Sequence, residues 1–153
     1  MPAGLKIDKN VIDEELSKRM FGYGRGYRMG IESDRAEILS GIRKGISIGS
    51  PIAIMIKNVD HSIDKLPVVL EPRPGHADLA GALKYGHADI RNVLERASAR
   101  ETAARVSAGA VARILLSEFG IKILSHVTMV GGIEADTEGL HFENIIKISG
   151  NRR

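Results

Sequence analysis

The chain contains no cysteine and no tryptophan, and its three tyrosines and three phenylalanines make up only 4% of 153 residues. Without cysteine there is no disulfide, no thiolate nucleophile and no thiolate-bound zinc, which fits a reducing compartment and points to the cytoplasm. So few aromatics leave little for stacking on nucleic-acid bases, and the core has to be assembled from Ala, Ile, Leu, Val and Met. Long apolar runs are missing as well. The stretch at 51–56 (PIAIMI) falls far short of the roughly 20 residues that span a bilayer, and no basic start leads into an apolar signal core. Membrane and secretion readings drop out. Nor is one sign of charge in large excess: 22 Lys and Arg oppose 19 Asp and Glu, a net charge of +3, so the placement of charges matters more than their sum.

What is present is ordinary for a soluble protein: 43% hydrophobic and 27% charged residues in a length that suits a single domain, 1–153. Neither a repeat nor a low-complexity tract interrupts it. The pattern reads as α+β. Asp8 can cap a helix over 9–19, with Val11, Ile12 and Leu16 as its apolar stripe. Branched residues at 36–42 and 52–57, separated by Gly45, Gly49 and Ser50-Pro51, suggest an antiparallel pair of strands. A loop over 58–74 and a short helix over 77–84 follow. Ser98 and Glu101 form a capping box, in which each side chain satisfies a backbone N–H of the other. A helix is expected from there to Phe119, with Gly120 as its stop. Its apolar residues surround it, because Ala108, Ala112 and Leu116 lie opposite Ala103, Ala110 and Ile114, so burial on both sides is expected. Residues 121–130 then read as a strand ending at Gly131-Gly132, and 145–148 as one more.

Three constellations could carry chemistry. The first is Arg19 with Gly22-Tyr23-Gly24-Arg25-Gly26-Tyr27-Arg28: glycines permit close approach, and Arg19, Arg25 and Arg28 offer forked donors to a phosphate or carboxylate. The plain alternative is an exposed basic turn, and Arg-Gly runs also occur in RNA-binding tails. The second runs from Arg73-Pro74-Gly75-His76-Ala77-Asp78 to His87-Ala88-Asp89. Pro74 and Gly75 would fix a turn that holds His76 at the edge of a helix, where it can exchange protons near neutral pH or serve as a hydrogen-bonded surface residue. A metal set of His76, Asp78, His87 and Asp89 lacks characteristic ligand spacing and is set aside. The third is the helix start at 95–102. Its backbone N–H groups and Arg96 and Arg100 favour an anion, although ion pairs such as Glu101 with Arg105 would also account for part of it.

Taken together, GYGRGYRMGIESD at 22–34, ILSGIRKGISIGSPIAIMIKN at 38–58, RPGHADLAGALKYG at 73–86 and ERASARETAARVSAGAVARILL at 95–116 resemble, in order and wording, the motifs of the chorismate synthase family. The likeness runs from about Pro2 to about Ala135. It implies a layered sandwich with helices between antiparallel β-sheets, assembled as a homotetramer in the cytoplasm. The implied activity is that of a lyase of aromatic amino-acid biosynthesis, which removes phosphate from 5-enolpyruvylshikimate 3-phosphate by 1,4-elimination to give chorismate. Reduced FMN is required without net oxidation, and NADPH serves as flavin reductant in some members.

Position by position, the resemblance places Arg19, Arg25, Arg28 and Arg100 at the anionic groups of the substrate or of NADP. Arg96, Ala97 and Ser98 fall on a flavin contact, and His76 on a histidine that manages flavin protonation. No nucleic-acid or membrane partner is implied. The family's opening Gly-Asp/Glu-Ser-His-Gly motif and its long C-terminal portion have no counterpart here, and neither His61 nor His87 replaces the missing histidine. A truncated chain is therefore expected, with self-association of the surface left uncovered. The rival readings are a non-catalytic remnant of the fold and a basic RNA-binding module, the latter testable by steep salt dependence.

Overall fold

A computed structural model describes residues 1–20, 33–59, 65–97 and 99–145. The chain divides into two compact units, 1–115 and 116–153, each described by itself. In the first, Asp8 opens helix α1 (Lys9–Met20), its carboxylate accepting the Asn10 N–H at 2.9 Å. Ile12 and Leu16, one turn apart, are completely buried, and burying a side chain of that size contributes about 1.5–3 kcal/mol.

The expected antiparallel pair is present as β1 (Ala36–Ser40) and β4 (Ala53–Ile56), in register from Ala36 opposite Ile56 to Ile38 opposite Ile54 and then shifted at Ser40. Between them β2 (Ile42–Arg43) and β3 (Ile46–Ser47) form a small hairpin. The turn at Gly41 needs glycine twice over. Its φ is +84°, and a Cβ there would lie 2.6 Å from the Pro51 carbonyl oxygen. The N-terminal segment docks on β3 through Gly4 N–H to Ser47 O and Ser47 N–H to Leu5 O, both 2.8 Å, while the Ser47 hydroxyl accepts the Leu5 N–H at 2.9 Å.

Two short helices follow, α2 (Asp78–Tyr85) and α3 (Arg91–Arg96). Helix α3 is an element that the sequence patterning did not announce. The segment before α2 is tied to the start of α3 by Asp89, whose carboxylate accepts the N–H groups of Val69 (3.1 Å) and Arg91 (2.9 Å). These bonds hold its pKa below the ordinary value. Gly81 on α2 faces Val93 on α3 so closely that a Cβ would run into the valine methyls.

Helix α4 (Ala99–Glu118) closes the core. Ala103, Ala110 and Val111 pack with Leu5, Ile7, Ile12, Leu16 and Ala36, and the inward isoleucines of β1 and β4 fill in around them. The expected capping serine, Ser98, lies outside the described residues, as do Arg25 and Arg28. The ion pair of Glu101 with Arg105 is present at 3.0 Å. Burial on both sides of α4 is not what the structure shows: Ala108 and Ala112 are exposed, because β1, β4 and α1 cover one face and no described element covers the other.

In the second unit the helix stops at Gly120, whose φ is +68°, with the Ile121 N–H returning to the Leu116 carbonyl at 3.0 Å. The strand expected over 121–130 shrinks to β5 (Met129–Val130), paired with β6 (Ile133–Glu134) across Gly131-Gly132. An extended apolar stretch becomes a strand only where a partner runs beside it, and β6 supplies two residues. Of the strand expected over 145–148, residue 145 closes a short helical stretch and the remainder lies outside the described residues.

Candidate functional site

Two arginines that the sequence singled out meet on one carboxylate that it did not. Asp34 lies two residues before β1, and its side chain is completely buried. One oxygen accepts Arg19 Nη1, from the last turn of α1. The other accepts Arg100 Nη1 at 2.6 Å, from the first turn of α4. The second nitrogen of Arg100 reaches the Lys57 carbonyl at 2.8 Å, just past the end of β4. A single point of charge thus ties together α1, the lead into β1, the end of β4 and the start of α4.

With side-chain exposures of 10% for Arg19 and 16% for Arg100, the two guanidiniums and the carboxylate between them are largely desolvated. Charges held out of water need good geometry and further hydrogen bonds to be stable, and guanidinium forks held this way are suited to charge-assisted contact with an anion. Arg100 also stands at a helix N-terminus, where a cation opposes the helix dipole. The Asp34 carboxylate offsets that penalty.

The segment at 73–78 is organised by a second arginine–carboxylate pair. The Asp78 side chain is fully buried, and it accepts Arg73 Nε at 2.9 Å, Arg73 Nη2 at 3.0 Å and the Arg73 backbone N–H at 3.0 Å. The side-chain fork and the backbone bond from Arg73, opposed by burial, hold the Asp78 carboxyl down to about 2. Gly75 adopts φ +72° in the turn so closed, and His76 is displayed on it, exposed, two residues before α2. The expectation of a tight turn presenting His76 is met, and the buried lock at Asp78 is what holds it.

Arg96 and Ala97 end α3, Arg96 stacking 4.5 Å from the ring centre of Tyr85. That guanidinium holds the Tyr85 phenol below its ordinary pKa, by hydrogen bonding first and by its charge second, against opposition from desolvation. Both residues line a cleft of about 390 Å³ with Gly81, Lys84, Val93, Arg105 and Glu101, whose carboxylate is paired with Arg105 at 3.0 Å. Cations, an aromatic edge and a small-residue floor suit an anion that carries a flat ring. Asp78 and Asp89, set aside above as metal ligands, each serve a separate local hydrogen-bond system, and among the described residues no three His, Asp or Glu side chains are grouped to hold an ion. No described helix is long and apolar enough to cross a membrane.

The sequence profile described as chorismate synthase matches residues 1–149. The chain belongs to the chorismate synthase family. Among curated relatives, the chorismate synthase of Carboxydothermus hydrogenoformans is 55% identical over 150 residues, which is 91% of this chain and 39% of that protein. That of Desulforudis audaxviator is 54% identical over 147 residues, 88% of this chain and 38% of its own length. A crystal structure of a chorismate synthase superposes with a TM-score of 0.67 at 46% identity, covering 90% of this chain and 34% of that one. The α+β fold with antiparallel pairing is therefore that of the family, and the chain spans about two fifths of the length of these curated relatives.

Proposed function

We propose that this chain provides the arginine cluster and part of the flavin site for the chorismate synthase reaction, the 1,4-elimination of phosphate from 5-enolpyruvylshikimate 3-phosphate in aromatic amino-acid biosynthesis. The observation that carries the proposal is the convergence of Arg19 and Arg100 on buried Asp34 in a chain of this family. Arg19, Arg25, Arg28 and Arg100 would take the phosphate and carboxylates of the substrate, or those of NADPH when it reduces the flavin. Arg96, Ala97 and Ser98 would contact FMN, and the cleft between α2, α3 and α4 has the cations and aromatic edge that such a ligand requires. Reduced FMN supplies the electron chemistry when bound, and the protein's part is to bind, orient and exclude water.

His76, exposed on its locked turn, would hold or move a proton at its imidazole. In the complete protein we place the chain within one domain of a cytoplasmic homotetramer.

Anaerobic titration of reduced FMN with and without 5-enolpyruvylshikimate 3-phosphate tests the reading, followed by a chorismate assay. Substrate-dependent flavin binding supports it, and no binding in any state removes it for this chain. In an active assembly, His76→Ala is expected to lower kcat about a hundredfold, the lower end of what general acid–base groups contribute, with KM little changed. An unchanged kcat would remove the proton role.

A further inference from the structure

We infer that Asp34 is a positioning residue for the anion site: its carboxylate sets the place and orientation of the Arg19 and Arg100 guanidiniums, so that the two act as one receptor for a phosphate or carboxylate group. This rests on the functional reading above and names a residue that the reading leaves out. Each carboxylate oxygen takes a different arginine, so the two cannot rotate independently while the carboxylate is in place. Arg100 is fixed a second time, through the Lys57 carbonyl at 2.8 Å. The Asp34 side chain is fully buried, so its charge reaches solvent only through its two partners. Arginines on flexible stems lose rotamer freedom when they grip a ligand, and a buried carboxylate that has already fixed them removes that loss from the binding step.

Asp13 supplies the comparison. It is another carboxylate with little exposure, 8% for the side chain, and it accepts the Ala36 N–H at 2.8 Å and Lys9 Nζ at 2.6 Å. It bears on the fold near the same strand, and its partners are Lys9, the Ala36 N–H and, at 3.6 Å, Arg35, rather than Arg19 or Arg100.

The test is the Kd of reduced FMN in the presence of 5-enolpyruvylshikimate 3-phosphate, measured on the full 153-residue chain and on folded Asp34→Asn and Asp13→Asn, with urea midpoints taken alongside. Asn keeps the size of the side chain and removes its charge and one strong acceptor. We expect Asp34→Asn to bind about tenfold more weakly, because the lost orientation of the two guanidiniums outweighs the removal of a negative charge from beside the anion, a net effect equal to one well-placed charge-assisted contact. Asp13→Asn should lose stability and keep the parent Kd. A folded Asp34→Asn with a Kd no more than about twofold above the parent's, tighter binding included, overturns the inference, as does an equal weakening in Asp13→Asn, which would make the effect one of general stability. Where Asp34→Asn does not fold, Asp34→Glu decides: it keeps the charge and moves it by one methylene, so parent affinity overturns positioning and weakened affinity supports it. Failure of the parent chain to bind takes down the functional reading and the inference with it, whereas failure in the variants alone concerns Asp34.

Discussion

Two glycines in helices give opposite expectations, and the contrast tests the packing that shapes the cleft. Replacing a helical glycine by alanine normally stabilises by about 0.8–1 kcal/mol, because alanine gives up less backbone entropy on folding. At Gly109 on α4 the added Cβ meets nothing within 4 Å, so Gly109→Ala should show that gain undiminished. At Gly81 on α2 the three nearest atoms are all in the Val93 side chain, and Val93 is 2% exposed. Valine has one strongly preferred rotamer in a helix, so relief requires α2 and α3 to move apart. Overpacking of this kind costs about 1–3 kcal/mol, which cancels the propensity gain and leaves Gly81→Ala destabilising by up to about 2 kcal/mol.

A double-mutant cycle isolates the contact. Val93→Ala alone removes buried methyl groups and should cost about 2 kcal/mol. In that background Gly81→Ala should become stabilising, giving a coupling of about 2 kcal/mol. Urea unfolding of the four proteins followed by circular dichroism measures it. Additivity within about 0.5 kcal/mol, or a stabilising Gly81→Ala in the parent, would refute the close approach of α2 and α3. Because Tyr85 and Arg96 face the cleft from these two helices, the same substitution should also weaken any ligand held there.

Acid should weaken the fold in a defined window. A carboxyl lowered in the folded state stabilises above its unfolded value, here 3.8, and that stabilisation is lost as pH falls toward about 2 for Asp78. The stability difference between the parent and Asp78→Asn should therefore shrink across that interval in urea midpoints, and a constant difference would refute the Arg73–Asp78 lock. Asp13, lowered because its bonds to Lys9 and Ala36 and the charges of Lys9 and Arg35 outweigh burial, should add to the parent's loss in the same direction. At the other end of the scale, Arg96→Gln should raise the Tyr85 phenol back toward 10.0, seen as the tyrosinate absorbance that disappears in Tyr85→Phe. No movement would mean that Arg96 does not sit on the ring.

Local chemistry explains which parts of this molecule are legible in its sequence. The Asp8 cap, the Gly120 stop and the Pro74-Gly75 turn each depend on residues within a few positions of one another, and each appears where the patterning puts it. Helix α3 has a local signal as well, the Asp89 carboxylate that accepts the Arg91 N–H at its start, but six residues carry too little period to be read as a helix, and the packing of Val93 on Gly81 and the Asp89 bond to Val69 come from outside it. The strand expected over 121–130 errs the other way, since apolar content signals burial or pairing without supplying the partner.

The same limit separates the arginines from Asp34. Arginines beside glycines or at a helix start are conspicuous, but the carboxylate that unites them lies 15 residues from one and 66 from the other, at the end of the 22–34 motif, where nothing in its spacing marks it as their partner. The only cue is indirect. Two arginines that are to be buried near one another need a counter-charge, and an acidic residue just before an inward-facing strand, as Asp34 stands before Ala36, can reach the core without entering it. That reasoning makes the carboxylate the residue on which the geometry of the cluster depends, although the arginines are the ones that would touch a ligand.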